Sequence, residues 1–200
     1  LFLKNNRRTK DNLFRHIDYS VQINKMMYQR LLKNENISLF SPHDVKGLYE
    51  AFFEDQGKFE KLYLAAEAND KIKRETISAK EAFSLILQER ASTGRIYIQN
   101  VDHCNVHGPF DESVAPVRQS NLCMEITLPT KPLNNVNDEN GEVALCTLSA
   151  FNLGKIKSLE DFDRLSMIIV RALDALLDYQ NYPLPAAERS TMNRRSLGVG

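Results

Sequence analysis

The sequence predicts an α/β fold, and three features carry the prediction. Ser78-Ala79-Lys80-Glu81 is a capping pattern that opens a helix, Thr93-Gly94 stops it, and the β-branched stretch Arg95-Ile96-Tyr97-Ile98-Gln99-Asn100 follows directly. Helix, glycine turn and strand is the rhythm of mixed proteins. Residues 142–151, Glu-Val-Ala-Leu-Cys-Thr-Leu-Ser-Ala-Phe, are mostly apolar, as a buried sheet strand should be. Ser158 with Asp161 then begins the longest amphipathic helix, with Phe162, Leu165, Ile169, Leu173, Leu176 and Leu177 on one face. That helix reaches about Tyr179, where Pro183 and Pro185 forbid continuation.

The remaining elements follow from period and punctuation. Leu1-Phe2-Leu3 resembles a strand already under way, and residues 5–12 form a polar, basic loop. Between about Asp18 and Lys33, the apolar positions Val21, Ile23, Met26, Met27, Leu31 and Leu32 predict one amphipathic helix. Ile37 to Phe40 reads as a short strand. Ser41-Pro42-His43-Asp44 predicts a helix start, with Ser41 as the cap and Pro42 at the first helical position, running through Phe53. Gly57 weakens that helix, and helical composition resumes from Phe59 to Ala68. Residues 102–119 read as irregular, and Asn140-Gly141 marks a tight turn.

Totals exclude several function classes. The chain has 200 residues and a 42% hydrophobic fraction, enough for one domain or a large piece of one. Basic and acidic residues balance at 26 each, which argues against a nucleic-acid-binding footprint. Three cysteines, Cys104, Cys123 and Cys146, are too few and odd in number for a disulfide scaffold, so a reducing, cytoplasmic setting is expected. No apolar run approaches the roughly 18 residues of a membrane span. The apolar ends, Leu1-Phe2-Leu3 and Leu197-Gly198-Val199-Gly200, predict an internal piece of a longer chain.

The stretch that gathers chemistry is Ser120-Asn121-Leu122-Cys123-Met124-Glu125-Ile126-Thr127-Leu128-Pro129. Apolar and polar residues alternate, which predicts a strand. Asn121, Cys123 and Glu125 would then share one face at about 7 Å per two-residue step, with Leu122, Met124 and Ile126 packing behind. An amide, a thiol and a carboxylate on one face can hold a hydroxylated substrate, take a hydrogen atom and move a proton. Pattern alone favours the plainer reading, a half-buried strand whose cysteine is a small hydrophobe. Asp102-His103-Cys104 with His107 has donors at metal-ligand spacing but lacks a second half, so no metal is assigned. His16 and His43 show no partner in the sequence, and neither a P-loop nor a dinucleotide glycine fingerprint is present.

Several blocks, taken together, carry a resemblance. Residues 120–126 resemble the finger-loop motif of ribonucleotide reductase large subunits. Lys4-Asn5-Asn6-Arg7, Asp18-Tyr19, Ser41-Pro42-His43-Asp44-Val45, Gln88-Glu89-Arg90-Ala91-Ser92-Thr93-Gly94-Arg95-Ile96-Tyr97, Ala115-Pro116-Val117-Arg118-Gln119 and residues 137–148 are similar to the surrounding blocks, in order, of the bacterial aerobic (class I) catalytic subunit. The resemblance implies a ten-stranded α/β barrel of two parallel five-stranded halves with a central finger loop, of which residues 1–200 would be the middle, truncated at both ends. It implies radical reduction of ribonucleoside diphosphates to deoxyribonucleotides. Cys123 corresponds to the thiyl-radical cysteine, Glu125 to the general base, Asn121 to the ribose-binding amide, and Cys146 to one of two reducing cysteines whose partner lies upstream. Leu122 and Met124 would complete the substrate-lining backbone.

The implied partners are a radical-generating, metal-containing small subunit, thioredoxin or glutaredoxin as reductant, and a second large subunit. ATP and deoxynucleotide effectors would act on the full-length protein, and no cofactor would be held by this piece. A non-catalytic α/β partner-binding module and a related cobalamin-dependent or glycyl-radical reductase are the alternatives. The retained trio argues against the first, the flanking blocks against the second.

Overall fold

The computed structural model describes residues 18–200. The strand at Leu1-Phe2-Leu3, the polar loop 5–12, the first resembling block and His16 lie outside the described residues. The chain divides into two compact units, the first ending at Thr127 and the second running from Leu128 to Gly200.

The first unit alternates strand and helix: β1 (Ser20–Ile23), α1 (Lys25–Leu32), β2 (Asn36–Phe40), α2 (Leu48–Glu54), α3 (Gln56–Glu67), β3 (Arg74–Ser78), α4 (Ala79–Thr93), β4 (Tyr97–Asn100) and α5 (Val101–Val106). β1 pairs with β4 in parallel, Gln22 opposite Gln99. β2 pairs with β3 antiparallel, Ser38 opposite Thr76. One apolar cluster joins Met26, Leu48, Phe59 and Tyr63 from three helices. A second lies between Ile23, Ile37, Phe83, Ile86 and Ile96.

Up to the start of α4, three expectations need correction, and residues 102–106, read as irregular, belong to α5. The single helix from Asp18 to Lys33 is a strand followed by a helix, because Asn24 caps α1, its side chain accepting from the Met27 amide at 3.3 Å. Val21 and Ile23 therefore belong to β1, where period two rather than 3.6 governs. The helix expected at Ser41 begins only at Leu48. Residues 42–47 turn instead, and Gly47 at φ +82° supplies the left-handed backbone that leads into α2. Ser78 ends β3 and precedes α4, but its side chain makes no capping hydrogen bond. Gly94 stops α4 as predicted, at φ +69°.

The second unit contains β5 (Leu148–Ser149), α6 (Leu159–Tyr179), α7 (Pro185–Arg194) and β6 (Gly198–Val199), with β5 and β6 parallel. The ten-residue strand expected over 142–151 shrinks to β5, because the paired stretch of β6 is only two residues long. Glu142 instead forms a bridge with Lys131, their amides and carbonyls exchanging bonds of 3.1 Å. α6 is the helix predicted. Ser158 accepts from the Asp161 amide at 3.1 Å, and Glu160 and Asp161 sit at the positive end of the dipole. Pro185 starts α7 rather than merely ending α6, since its missing N–H costs nothing at a first turn. Arg195, at φ +45°, follows α7 and binds back to α6 through Asp174 at 2.7 Å and Asp178 at 2.8 Å.

The structure is thus mixed α and β. Its three pairings are separate two-stranded ones that close no barrel among the described residues. No helix among those residues is long and apolar enough to cross a membrane.

Candidate active site

Amide side chains of the strands hold the chain that leads into residues 120–126. Gln22 on β1 donates to Gln99 Oε1 on β4 at 2.8 Å and to the Arg118 carbonyl at 2.9 Å. Asn105 on α5 grips buried Val117 from both sides, accepting its N–H at 2.7 Å and donating to its carbonyl at 3.0 Å. Arg118 adds an ion pair with Glu54 at the end of α2. Gln22, Gln99 and Asn105 were not singled out by sequence reasoning. The Gln22–Gln99 contact spans 77 positions and the Asn105–Val117 clamp 12, separations that no local pattern reports.

Residues 120–126 are not a strand, so the face predicted by alternation does not exist. The chain turns at Leu122 and Cys123, where the Met124 amide donates to the Asn121 carbonyl at 3.2 Å. Met124 takes φ +68°, left-handed backbone that is uncommon outside glycine. Asn121 drives this outcome, because its side chain offers the backbone an alternative to a ladder. Its Oδ1 accepts the Ile126 N–H at 3.1 Å. Its Nδ2 donates to Glu125 Oε1 at 2.6 Å.

Two of the predicted trio are therefore joined directly, by a turn rather than by strand alternation. Cys123 lies between them in sequence, within the turn, and is exposed. Leu122 does not pack as expected but is 58% exposed, and Met124 is half-buried. A carboxylate hydrogen-bonded to an amide beside a solvent-accessible thiol can accept a proton from a hydroxyl and orient it, while the sulfur takes or gives a hydrogen atom.

Cys146 belongs to the second unit, in irregular backbone two residues before β5, and is exposed rather than set in a strand. The surroundings of this unit's loop are well fixed. Glu142 is buried and pairs with Arg194 at 2.6 Å and Lys131 at 3.5 Å. Arg189 donates to the carbonyls of Asp138 and Gly141 at 2.7 and 2.8 Å.

Cys104 is half-buried on α5, with Gln99 Nε2 3.8 Å from its sulfur. Burial pushes its thiol pKa up, a shift that the Gln99 hydrogen bond partly offsets. His103 and His107 stack edge to face with centroids 5.2 Å apart. Among the described residues, no three His, Cys, Asp or Glu side chains converge on one point as a metal ion would require. His43 is exposed and lies 3.4 Å from Asp44.

The fold is a mixed α/β one, and a tight turn brings Asn121 and Glu125 together beside the exposed Cys123. The chain matches the family described as ribonucleotide reductase, barrel domain, over residues 1–200. It is 67% identical over 200 residues to ribonucleoside-diphosphate reductase subunit alpha of Haemophilus influenzae, covering all of this chain and 26% of that protein. Identity to the ribonucleoside-diphosphate reductase 1 subunit alpha of Escherichia coli strain K12 is also 67%, with the same coverage. The subunit alpha of Enterobacteria phage T4 is 48% identical, again over the whole chain and 26% of its own length. The chain belongs to the ribonucleotide reductase barrel-domain family, and it spans about a quarter of the length of the curated relatives it matches.

Proposed function

We propose that the chain is the catalytic-barrel portion of a ribonucleoside-diphosphate reductase large subunit of class I. The activity is radical replacement of a ribose 2′-hydroxyl by hydrogen, for deoxyribonucleotide synthesis. The observation that carries this reading is the turn itself. Asn121 and Glu125 are bonded at 2.6 Å, with Cys123 exposed between them in sequence. Membership of a family named for this chemistry, over residues 1–200, supports the same reading.

In this reading Cys123 Sγ, as a thiyl radical, takes the 3′ hydrogen of the sugar. Glu125 accepts the 3′-hydroxyl proton as general base, and Asn121 Nδ2 orients that carboxylate and the ribose hydroxyl. Cys146 and a second cysteine supply two electrons. One C–O bond becomes C–H, water leaves, and the two thiols end as a disulfide. Backbone at Leu122 and Met124 lines the sugar. The radical originates in a metal-containing small subunit, and thioredoxin or glutaredoxin restores the dithiol. The ten-stranded barrel, closed by segments present in the longer relatives, supplies the enclosure that radical chemistry needs. The complete protein is a cytoplasmic homodimer controlled by ATP and deoxynucleotides.

Cys123→Ser in the complete large subunit, assayed with its small subunit and reductant, tests this. Ribonucleotide reduction should fall to background while substrate still binds. Reduction that persists would remove Cys123 from the chemistry.

A further inference from the structure

We infer that Ser120 is a positioning residue for the reaction, a hydroxyl clasp that holds the turn shut so that Asn121 presents its amide to Glu125. The inference rests on the proposed function and adds a residue to it.

The Ser120 hydroxyl has one hydrogen and two oxygens within reach. The Ile126 carbonyl is the nearer, at 2.6 Å, with Asn121 Oδ1 at 3.2 Å. The bond to Ile126 therefore takes the proton, and it ties the residue before the trio to the residue after it. Ile126 is held a second time by the next side chain along, because its N–H donates to Asn121 Oδ1 at 3.1 Å. Consecutive residues thus take the two backbone polar groups of Ile126, Ser120 its carbonyl and Asn121 its amide.

This double hold fixes the orientation of the Asn121 side chain. Its carbonyl oxygen must face the Ile126 N–H, so its NH2 group must face the Glu125 carboxylate, which only accepts. The resulting bond is the 2.6 Å contact between two of the proposed reacting groups. Met124 at φ +68° is the backbone cost of closing the turn so tightly. Without the hydroxyl, the Ile126 carbonyl loses its tie to Ser120, and the left-handed residue loses one of the bonds that keep it in place. Cys123 and Glu125 would then sample orientations in which hydrogen abstraction and proton removal no longer meet at one sugar.

The test uses the complete large subunit with its small subunit and reductant, comparing Ser120→Ala, Ser120→Thr and Cys123→Ser. Ser120→Ala should lower kcat about tenfold, the rate equivalent of about one lost hydrogen bond, and change KM less than about twofold, because the groups that bind substrate remain. Ser120→Thr keeps the hydroxyl and should restore kcat. Wild-type kcat in Ser120→Ala beside an inactive Cys123→Ser overturns the clasp and leaves the parent reading standing. Equal losses in the Ala and Thr variants overturn it too, since they would report packing at this position rather than the hydroxyl. An active Cys123→Ser strikes the parent reading instead.

Discussion

Asp138 shows how much one side chain can organise in this chain. Its carboxylate accepts from the Asn134 amide and Asn134 Nδ2, both at 2.8 Å, from the Asn140 amide at 2.7 Å and from the Gly141 amide at 3.2 Å. Each donor favours the charged form, and the backbone amides of Asn134 and Asn140 contribute most. The pKa is pushed down from 3.8 to about 2. An acid whose folded pKa lies below its unfolded one stabilises the fold fully above the unfolded value, and loses that contribution as pH falls through the folded one. The loop over 134–141 should therefore keep its order well below pH 3.8 and loosen near pH 2. A carboxyl carbon titration of Asp138 by NMR checks this, with a midpoint near 3.8 excluding the proposed geometry. The sequence marks a tight turn at Asn140-Gly141, but the hydrogen-bonded turn lies at Val136-Asn137, where the Asp138 amide donates to the Asn135 carbonyl at 3.1 Å. Asp138 as the hub of this loop was not legible, because an acidic residue in a polar loop looks the same whether it is solvated or surrounded by donors.

At the scale of elements, the tie between α3 and β2 runs through one phenol. Tyr63 is 3% exposed, and its hydroxyl accepts from the Ser38 amide and donates to the Ser38 carbonyl, each at 2.7 Å. Burial raises the Tyr63 pKa, so the group stays neutral and able to do both. The same corner holds Arg30 of α1, paired with Glu67 of α3 at 2.5 and 2.9 Å and stacked over the Tyr63 ring. Tyr63→Phe keeps the ring but strands two buried backbone groups, and should cost about 2 kcal/mol. Urea unfolding measures it; a loss below about 0.5 kcal/mol would mean that water replaces the phenol.

The same elements show what local pattern can and cannot reach. α4 and α6 were legible because each combines helical period with a stop or a cap, Gly94 for one and Ser158 for the other. β1 was taken for helix because Val21 and Ile23 fit either period, and only the cap at Asn24 divides them. α5 was missed since Asp102, His103 and Asn105 break its apolar face. α7 was missed because Pro185 was read as a stop when it serves as a start.

For the whole molecule, side-chain type was legible at the candidate site and geometry was not. Asn121 and Glu125 do meet, but through a turn that an alternating pattern conceals, and Cys146 sits in a unit whose expected strand is mostly irregular. The three thiols give a single readout across both units. Cys123 and Cys146 are exposed, whereas Cys104 is half-buried with its pKa raised by burial. Thiolate is the reactive form, so exposure and a low pKa both speed attack on a disulfide reagent, and Cys104 is disadvantaged on both counts. Ellman's reagent at about pH 8, near the ordinary thiol pKa, should modify two thiols of the 200-residue chain quickly and the third slowly. Peptide mapping should place the slow one at Cys104, and full denaturation should bring all three to one rate. Cys123→Ser should leave one fast thiol, while Cys104→Ser should leave two. Fast labelling of Cys104 in folded protein would contradict its burial against Gln99 and the packing of α5 on β4, and with it the anchoring of Val117 that positions the turn.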